Sequence, residues 1–266
     1  MNSVNTGAKV NLSLHITGKR GTMHTLEMEV CGVSLYDEVV YFSEGVKPFE
    51  GRIAFGDCIK GFFSEKFLPV VQRAVAALDE KCGALPGGFL INKHIPCGAG
   101  LGGSSAVVAS LAKIYEKEKN IALDDGFLLS LGSDVPYMHR GGNAVVSGTG
   151  EVVRPEPFVP LNVVIAVPEG AVDTASAYEL YDDGVRGSVA NGSPRENDLY
   201  AAAIRLNAGV ERLCGDFRRA GAEDFVMTGS GCAVCAFFAE KKEAEKVLKK
   251  IQSGYLTFLT VTVPKN

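Results

Sequence analysis

Apolar and polar residues alternate with period two in AKVNLSLHITGK, around β-branched side chains, and this predicts a strand early in the chain. LEMEVCGVSLYDEVVYF predicts one or two more strands, and GGFLINKHIP another that ends at Pro96. Residues 65–82, EKFLPVVQRAVAALDEKC, repeat apolar positions at helical spacing. SSAVVASLAKIYEKEKN predicts a helix capped by its serines, with lysines near its end where the helix dipole favours them. A short helix is expected over 124–131, then a hairpin over NAVVSGTGEVVRP.

The proline density of PEPFVP marks a boundary near residue 158, giving an N-terminal domain over 1–158 and a C-terminal domain over 159–266. The second part opens with the strand LNVVIAVP and the helix TASAYELYDD, followed by a polar segment, GVRGSVANGSPREN. A helix over 198–213, the strand DFVMTGSGCAVCAFFA, a helix over 240–252 and the strand YLTFLTVTVP complete it. In the last helix Ala244, Val247, Leu248 and Ile251 share one face, so its lysines form a solvated back. Strands run in groups with helices between them, without strict βαβ alternation. The expected class is α+β.

Composition narrows the partners. Lys+Arg 27 against Asp+Glu 31 gives a net charge of −4, whereas a nucleic-acid-binding domain is ordinarily basic with a clustered patch. No basic region followed by a sustained apolar run opens the chain, so no signal peptide is expected. Stretches such as LNVVIAVP are far below the ~20 residues of a membrane helix, and no membrane partner is expected. The seven cysteines are an odd number scattered through a chain of 266 residues, which points to reduced thiols and a cytoplasmic protein. Cys232 and Cys235 form a C-x-x-C pair, but they sit in an alternating strand with no second ligand pair nearby, so packing explains them. His15, His24, His94 and His139 show no metal-ligand spacing.

HIPCGAGLGGSSAVVA, residues 94–109, holds four glycines within Gly98–Gly103. Glycines at that density permit positive φ and close approach of another group to the main chain. Gly98, Gly100 and Gly103 satisfy the G-x-G-x-x-G spacing between a strand and a helix. However, no second β-branched strand ending in an acid follows the helix, as a dinucleotide fold requires. The Walker A loop needs a Lys before its Ser or Thr, and this chain has Gly103-Ser104-Ser105. A plain flexible turn leaves the serines and the small residues of the following turn unexplained. A different phosphate cradle accounts for them. Loop and first-turn N–H groups point at an anion, and Ser104 and Ser105 add hydroxyls to phosphate oxygens or Mg²⁺.

PCGAGLGGSSA resembles the P-x-x-x-G-L-G-S-S-A motif of the GHMP kinases, GAKVNLSLHITGKR their first motif, and VMTGSGCAVCAFF their third. Within that superfamily the closest resemblance is to the kinases of 4-diphosphocytidyl-2-C-methyl-D-erythritol, from AKVNLSLHITGKR followed by His24, LGSDVPYMHRGGNAVVSGTGE, and ENDLY at 196–200. The resemblance runs from Lys9 to about Phe238. It implies a two-domain α+β fold with the active site in the cleft between domains, and transfer of the ATP γ-phosphoryl group to the substrate's 2-hydroxyl in non-mevalonate isoprenoid synthesis.

By the same resemblance, Lys9 and Asp134 are the catalytic pair, with Asp134 accepting the hydroxyl proton. Pro96, Cys97, Gly98, Ala99, Gly100 and Leu101, with Gly102, Gly103, Ser104 and Ser105, form the ATP loop, and Gly229, Ser230 and Gly231 the third motif. Ser104 is the candidate Mg²⁺ ligand. Asn11, His24 and Tyr178 fall where the family binds the cytidine end, Tyr178 in the place of an aromatic that stacks on cytosine. The implied partner is a cytidine-diphosphate-linked polyol, bound by a monomer or homodimer. Two departures stand out. The loop has two glycines before its serines where the family has three, followed by Ala106 rather than an acid or amide. Met23 replaces a second stacking tyrosine, and a thioether covers a base less rigidly than a ring. The alternatives are another GHMP kinase acting on a small alcohol and a catalytically silent nucleotide- or metabolite-binding member.

Overall fold

A computed structural model describes residues 2–44, 52–59, 66–190 and 192–265 of the chain. The early alternating segment forms two strands rather than one, β1 (Asn2–Asn11) and β2 (His15–Arg20). Between them the Leu14 N–H leaves the ladder to bond the Glu196 carbonyl at 3.0 Å. One strand of 20 residues follows, β3 (Met23–Phe42). The strand β4 (Ile53–Cys58) was not anticipated, because Gly56 and Asp57 in IAFGDC weaken its strand signal. Next come α1 (Phe67–Cys82), β5 (Gly88–Lys93), α2 (Gly103–Lys119) and α3 (Asp125–Leu131), close to expectation. SDVP leads into a further helix, α4 (Val135–Arg140), with Pro136 in its first turn where its missing N–H costs nothing.

The expected hairpin is β6 (Ala144–Gly148) and β7 (Val152–Pro155), and β8 (Asn162–Val167) and α5 (Thr174–Asp182) follow. The helix expected over 198–213 is two, α6 (Tyr200–Leu206) and α7 (Gly209–Ala220). Asn207 separates them, its carboxamide accepting from Gly209 N at 2.9 Å and donating to the Glu169 carbonyl at 3.0 Å. The strand expected over 224–239 is a pair, β9 (Phe225–Met227) and β10 (Val234–Phe238), joined by a turn that Thr228 N closes on the Ala233 carbonyl at 3.0 Å. Helix α8 (Lys241–Ile251) and strand β11 (Leu256–Val263) end the fold. The α+β class holds: helices and strands mix, and most strand pairs are antiparallel.

Contacts cluster into two compact units that do not divide near residue 158. The first comprises Met1–Ala8, Leu35–Cys97 and Gly102–Arg140, the second Lys9–Ser34, Gly98–Leu101 and Gly141–Asn266. PEPFVP merely connects β7 to β8, both in the second unit. In the first unit β5 pairs parallel with β4 and antiparallel with the second half of β3. Helix α1 buries Phe67, Val71, Val75 and Leu78, and α2 buries Val107, Leu111, Ile114 and Tyr115. Tyr115 stacks on Phe89 of β5 with centroids 6.2 Å apart.

In the second unit β8 lies between β11 and β10, antiparallel to both. Val163–Val167 are all buried, so this strand shows no alternation. Helix α7 turns Val210, Leu213, Cys214 and Phe217 inward at i, i+3, i+4 and i+7, and α8 turns Ala244, Val247 and Ile251 inward. Phe217 stacks on Phe225 of β9 at 6.3 Å and is fully buried, a placement worth ~2–3 kcal/mol.

Candidate active site

After β5 the chain enters the second unit at Gly98 and leaves it after Leu101, so the glycine loop is shared between the units along the chain. Gly100 has φ +76°, and a Cβ there would collide with the Thr228 carbonyl. Gly229 has φ +59°, and a Cβ there would lie 2.7 Å from the Gly100 carbonyl oxygen. The loop and the third glycine segment are therefore pressed main chain to main chain. Ala233 N donates to the Ala99 carbonyl at 3.0 Å, and the Thr228 hydroxyl to the Gly100 carbonyl at 3.3 Å. Gly100 and Gly229 each make room for the other's main chain.

Lys9 ends up at this junction. Its N–H donates to the Leu101 carbonyl at 3.0 Å, which ties the end of β1 to the loop. Lys9 is 5% exposed, and its Nζ donates to Asn11 Oδ1 at 2.8 Å. The same Oδ1 accepts Gly229 N at 3.1 Å. Asn11 Nδ2 faces Met28 Sδ at 3.1 Å, and Asn11 N donates to the Thr228 hydroxyl at 2.9 Å. Asn11, expected to touch the substrate, is fully buried with its carboxamide engaged inside the protein. Here it orients Lys9 and Gly229 and offers no surface to a ligand.

The first unit carries Ser104, Ser105 and Asp134. The cap of α2 is Gly102 in left-handed conformation rather than a serine, and the first turn has no side-chain cap and no acidic residue. Its uncompensated N–H groups and positive dipole end suit an anion such as a triphosphate. Below it, Lys93 is buried against Asp37, with Nζ 2.6 Å from Oδ2. Asp37 Oδ1 accepts the N–H groups of His94 and Ile95 at 2.7 and 2.8 Å. Burial pushes the Asp37 carboxyl upward while Lys93 and these donors pull it down. A Cβ on Gly103 would lie 2.9 Å from Lys93 Nζ, so this glycine too answers to packing. Asp134 is half-buried before α4, and its carbonyl accepts Met138 N at 2.9 Å. His139 Nε2 meets Glu116 Oε2 at 2.7 Å and pins α4 to α2.

His24 and Tyr178 come together in the second unit, their rings stacked with centroids 4.5 Å apart and 23° between planes. His24 Nε2 lies 2.9 Å from Asp182 Oδ1, and Lys19 Nζ donates to Asp182 Oδ2 at 2.7 Å. The Lys19 bond first, then the His24 bond, holds the Asp182 carboxyl below its ordinary range. Tyr181 meets the edge of His24, and the Arg186 guanidinium lies over Tyr181 at 3.6 Å. Met23 is exposed beside His24. The aromatic pair was legible; Asp182, in the repetitive YDD, carried no motif to mark it.

Cys31, Cys82, Cys97, Cys214, Cys232 and Cys235 form no disulfide. Burial pushes the Cys31 and Cys214 thiols up to about 12 and Cys232 to about 11, so they pack rather than react. Among the described residues no group of three or more His, Cys, Asp or Glu could hold a metal ion. No helix among them is long and apolar enough to cross a membrane.

Comparison with known proteins places this geometry. Residues 69–151 match the GHMP kinases N terminal domain and residues 187–256 the GHMP kinases C terminal domain. The chain is 30% identical over 264 residues to a 4-diphosphocytidyl-2-C-methyl-D-erythritol kinase of Desulfitobacterium hafniense, covering 90% of this chain and 88% of that one. It is 28% identical to the enzyme of that name from Clostridium botulinum, covering 96% and 98%. A crystal structure of 4-(cytidine 5'-diphospho)-2C-methyl-D-erythritol kinase has the same fold, with a TM-score of 0.77 at 24% identity over 98% of this chain and 99% of that one.

Proposed function

Because the chain belongs to the GHMP kinases, we infer that it moves the γ-phosphoryl group of ATP to the 2-hydroxyl of 4-diphosphocytidyl-2-C-methyl-D-erythritol. It is a small-molecule kinase with ATP as donor. The observation that carries the acceptor assignment is the His24–Asp182 pair beside the Tyr178 ring. In the tautomer that places a hydrogen on Nε2 for Asp182, Nδ1 is an acceptor. An acceptor there suits the exocyclic amino group of cytosine and opposes the carbonyl that uracil carries at the same position. The Tyr178 ring supplies the stacking surface, with Met23 as a softer cover.

The uncapped first turn of α2 fits a triphosphate. Mg²⁺ would be held by phosphate oxygens with Ser104, in keeping with its preference for few protein ligands. The ion supplies neutralisation of the triphosphate charge. Transfer of this kind has a loose transition state, so placement dominates. The acceptor oxygen attacks the γ-phosphorus, its proton passes to Asp134, and the bond to the β-phosphate oxygen breaks to release ADP. Lys9 meets the charge that develops on the transferring group. Asn11 and Gly229 hold the ammonium in one place, which is where the rate advantage of a fixed charge arises.

Thermal shift tests the cytidine assignment. CMP and CDP are expected to raise Tm by several degrees and UMP not at all, and Tyr178→Ala to remove the CMP effect while leaving the ATP effect. Equal stabilisation by CMP and UMP, or a full CMP shift in Tyr178→Ala, would contradict it.

A further inference from the structure

Asn197 lies outside every motif role assigned above, yet it is 1% exposed and every polar atom of its side chain is engaged. Nδ2 donates to the Met227 carbonyl and to the Gly229 carbonyl, both at 2.8 Å, and Oδ1 accepts Leu199 N at 3.0 Å. Gly229 is thus held on both sides by carboxamides. Its carbonyl goes to Asn197, and its N–H goes to Asn11 Oδ1 at 3.1 Å, the oxygen that also takes Lys9 Nζ at 2.8 Å. A second tie reaches the strand side. Asn197 forms a parallel bridge with Leu14; Leu14 N donates to the Glu196 carbonyl at 3.0 Å, and Asp198 N to the Leu14 carbonyl at 2.9 Å. Asp198 Oδ2 also accepts Ile16 N at 2.8 Å. All these residues belong to the second unit.

We propose that Asn197 is a positioning residue for phosphoryl transfer, fixing the Lys9 ammonium through Gly229 and Asn11. The inference rests on Lys9 taking part in the reaction as described above. The chemistry demands a carboxamide. One nitrogen must donate to two carbonyls two residues apart while the oxygen accepts a third main-chain group. Aspartate has the same shape but turns a lone pair toward two carbonyl oxygens, and serine offers one donor on a shorter arm. Without the Asn197 donor the 229–230 peptide loses its tie, and the turn whose Gly229 N–H helps to orient the Asn11 oxygen is held less tightly. The Lys9 ammonium, oriented in part through that oxygen, is then placed less tightly. Substrate binding elsewhere is untouched, so the loss falls on kcat.

The test compares Asn197→Asp, Asn11→Ser and the double variant, each assayed well below its own Tm, with Val247→Ala in α8 as a control of lowered stability. The expected result is a kcat reduced ~10–100-fold in Asn197→Asp, with KM for ATP and for the acceptor within threefold of wild type and Val247→Ala unaffected. The double variant should be no slower than Asn11→Ser alone, because both act along one path. Hydrogen exchange gives a readout that needs no turnover. The peptide spanning 228–231 should exchange at least tenfold faster in Asn197→Asp and in Asn11→Ser, with α8 unchanged. A kcat within threefold of wild type, a loss placed in KM, or losses that multiply in the double variant would overturn the proposal. Where Asn197→Asp does not fold, Asn197→Ser takes its place, and failure of both would assign Asn197 a purely architectural role. If the wild-type protein itself does not phosphorylate the acceptor, the functional reading fails, while the exchange data still decide whether Asn197 holds Asn11 through Gly229.

Discussion

A lysine near the end of an outer strand is ordinarily a solvated charge, but Lys9 is 5% exposed and its ammonium is bonded to a buried amide oxygen. Burying an ammonium is costly unless it is hydrogen-bonded, and Asn11 Oδ1 meets that need here. The same scale decides Asp134. Asp134→Asn is expected to lower kcat by ~10²–10⁴-fold with ATP affinity within threefold, read by steady-state kinetics and calorimetry. Wild-type turnover in that variant would remove its role as base. Candidate residues were legible wherever they sat in a linear motif, as Lys9, Asp134, His24 and Tyr178 do. Their partners were not. Asp182 meets His24, 158 positions away, and Asn197 meets Gly229, 32 positions away; ENDLY marked the segment of Asn197 but not what its carboxamide holds. Asn11 was legible as important and misread in role, since a pattern of letters does not say which way a carboxamide faces.

Elements carry a similar lesson. Long amphipathic helices and alternating strands were found to within a few residues, because their periodicity repeats over several turns or pleats. Breaks inside them were missed where a single side chain makes the break, as Asn207 does between α6 and α7. The glycine loop was recognised, but not the main-chain packing of Gly100 against Gly229 within it. The β6–β7 turn offers a test at this scale. Glu151 Oε2 accepts Thr149 N at 2.5 Å and Thr149 Oγ1 at 2.8 Å, and Oε1 takes Arg20 at 2.7 Å. Main-chain hydrogen bonding first, then the Thr149 and Arg20 side chains, lowers its carboxyl from 4.5 to about 2. A depressed carboxyl stabilises the fold fully above the unfolded value and loses that contribution as pH falls from about 4.5 toward about 2. Because Arg20 and the turn face water, the contribution is about 1 kcal/mol. Glu151→Gln should therefore lower Tm by a few degrees at pH 7 and by progressively less toward pH 3. A constant gap across that range would refute it.

At the scale of the molecule, fold class and kinase membership were legible because three separated motifs fell in one order along the chain. The family matches over 69–151 and 187–256 fall on either side of the expected boundary near residue 158, while compact contacts group the chain differently. A composition shift marks a linker only where the chain crosses once, and here it crosses at Ala8, Ser34, Cys97, Leu101 and Arg140. What the whole chain does is tested most directly by initial rates of ATP-dependent phosphorylation of 4-diphosphocytidyl-2-C-methyl-D-erythritol, with mevalonate and homoserine assayed beside it. The account predicts a kcat/KM for the cytidylylated acceptor at least a hundredfold above either alternative. Faster phosphorylation of mevalonate or homoserine, or no ATP consumption with any of the three, would contradict it.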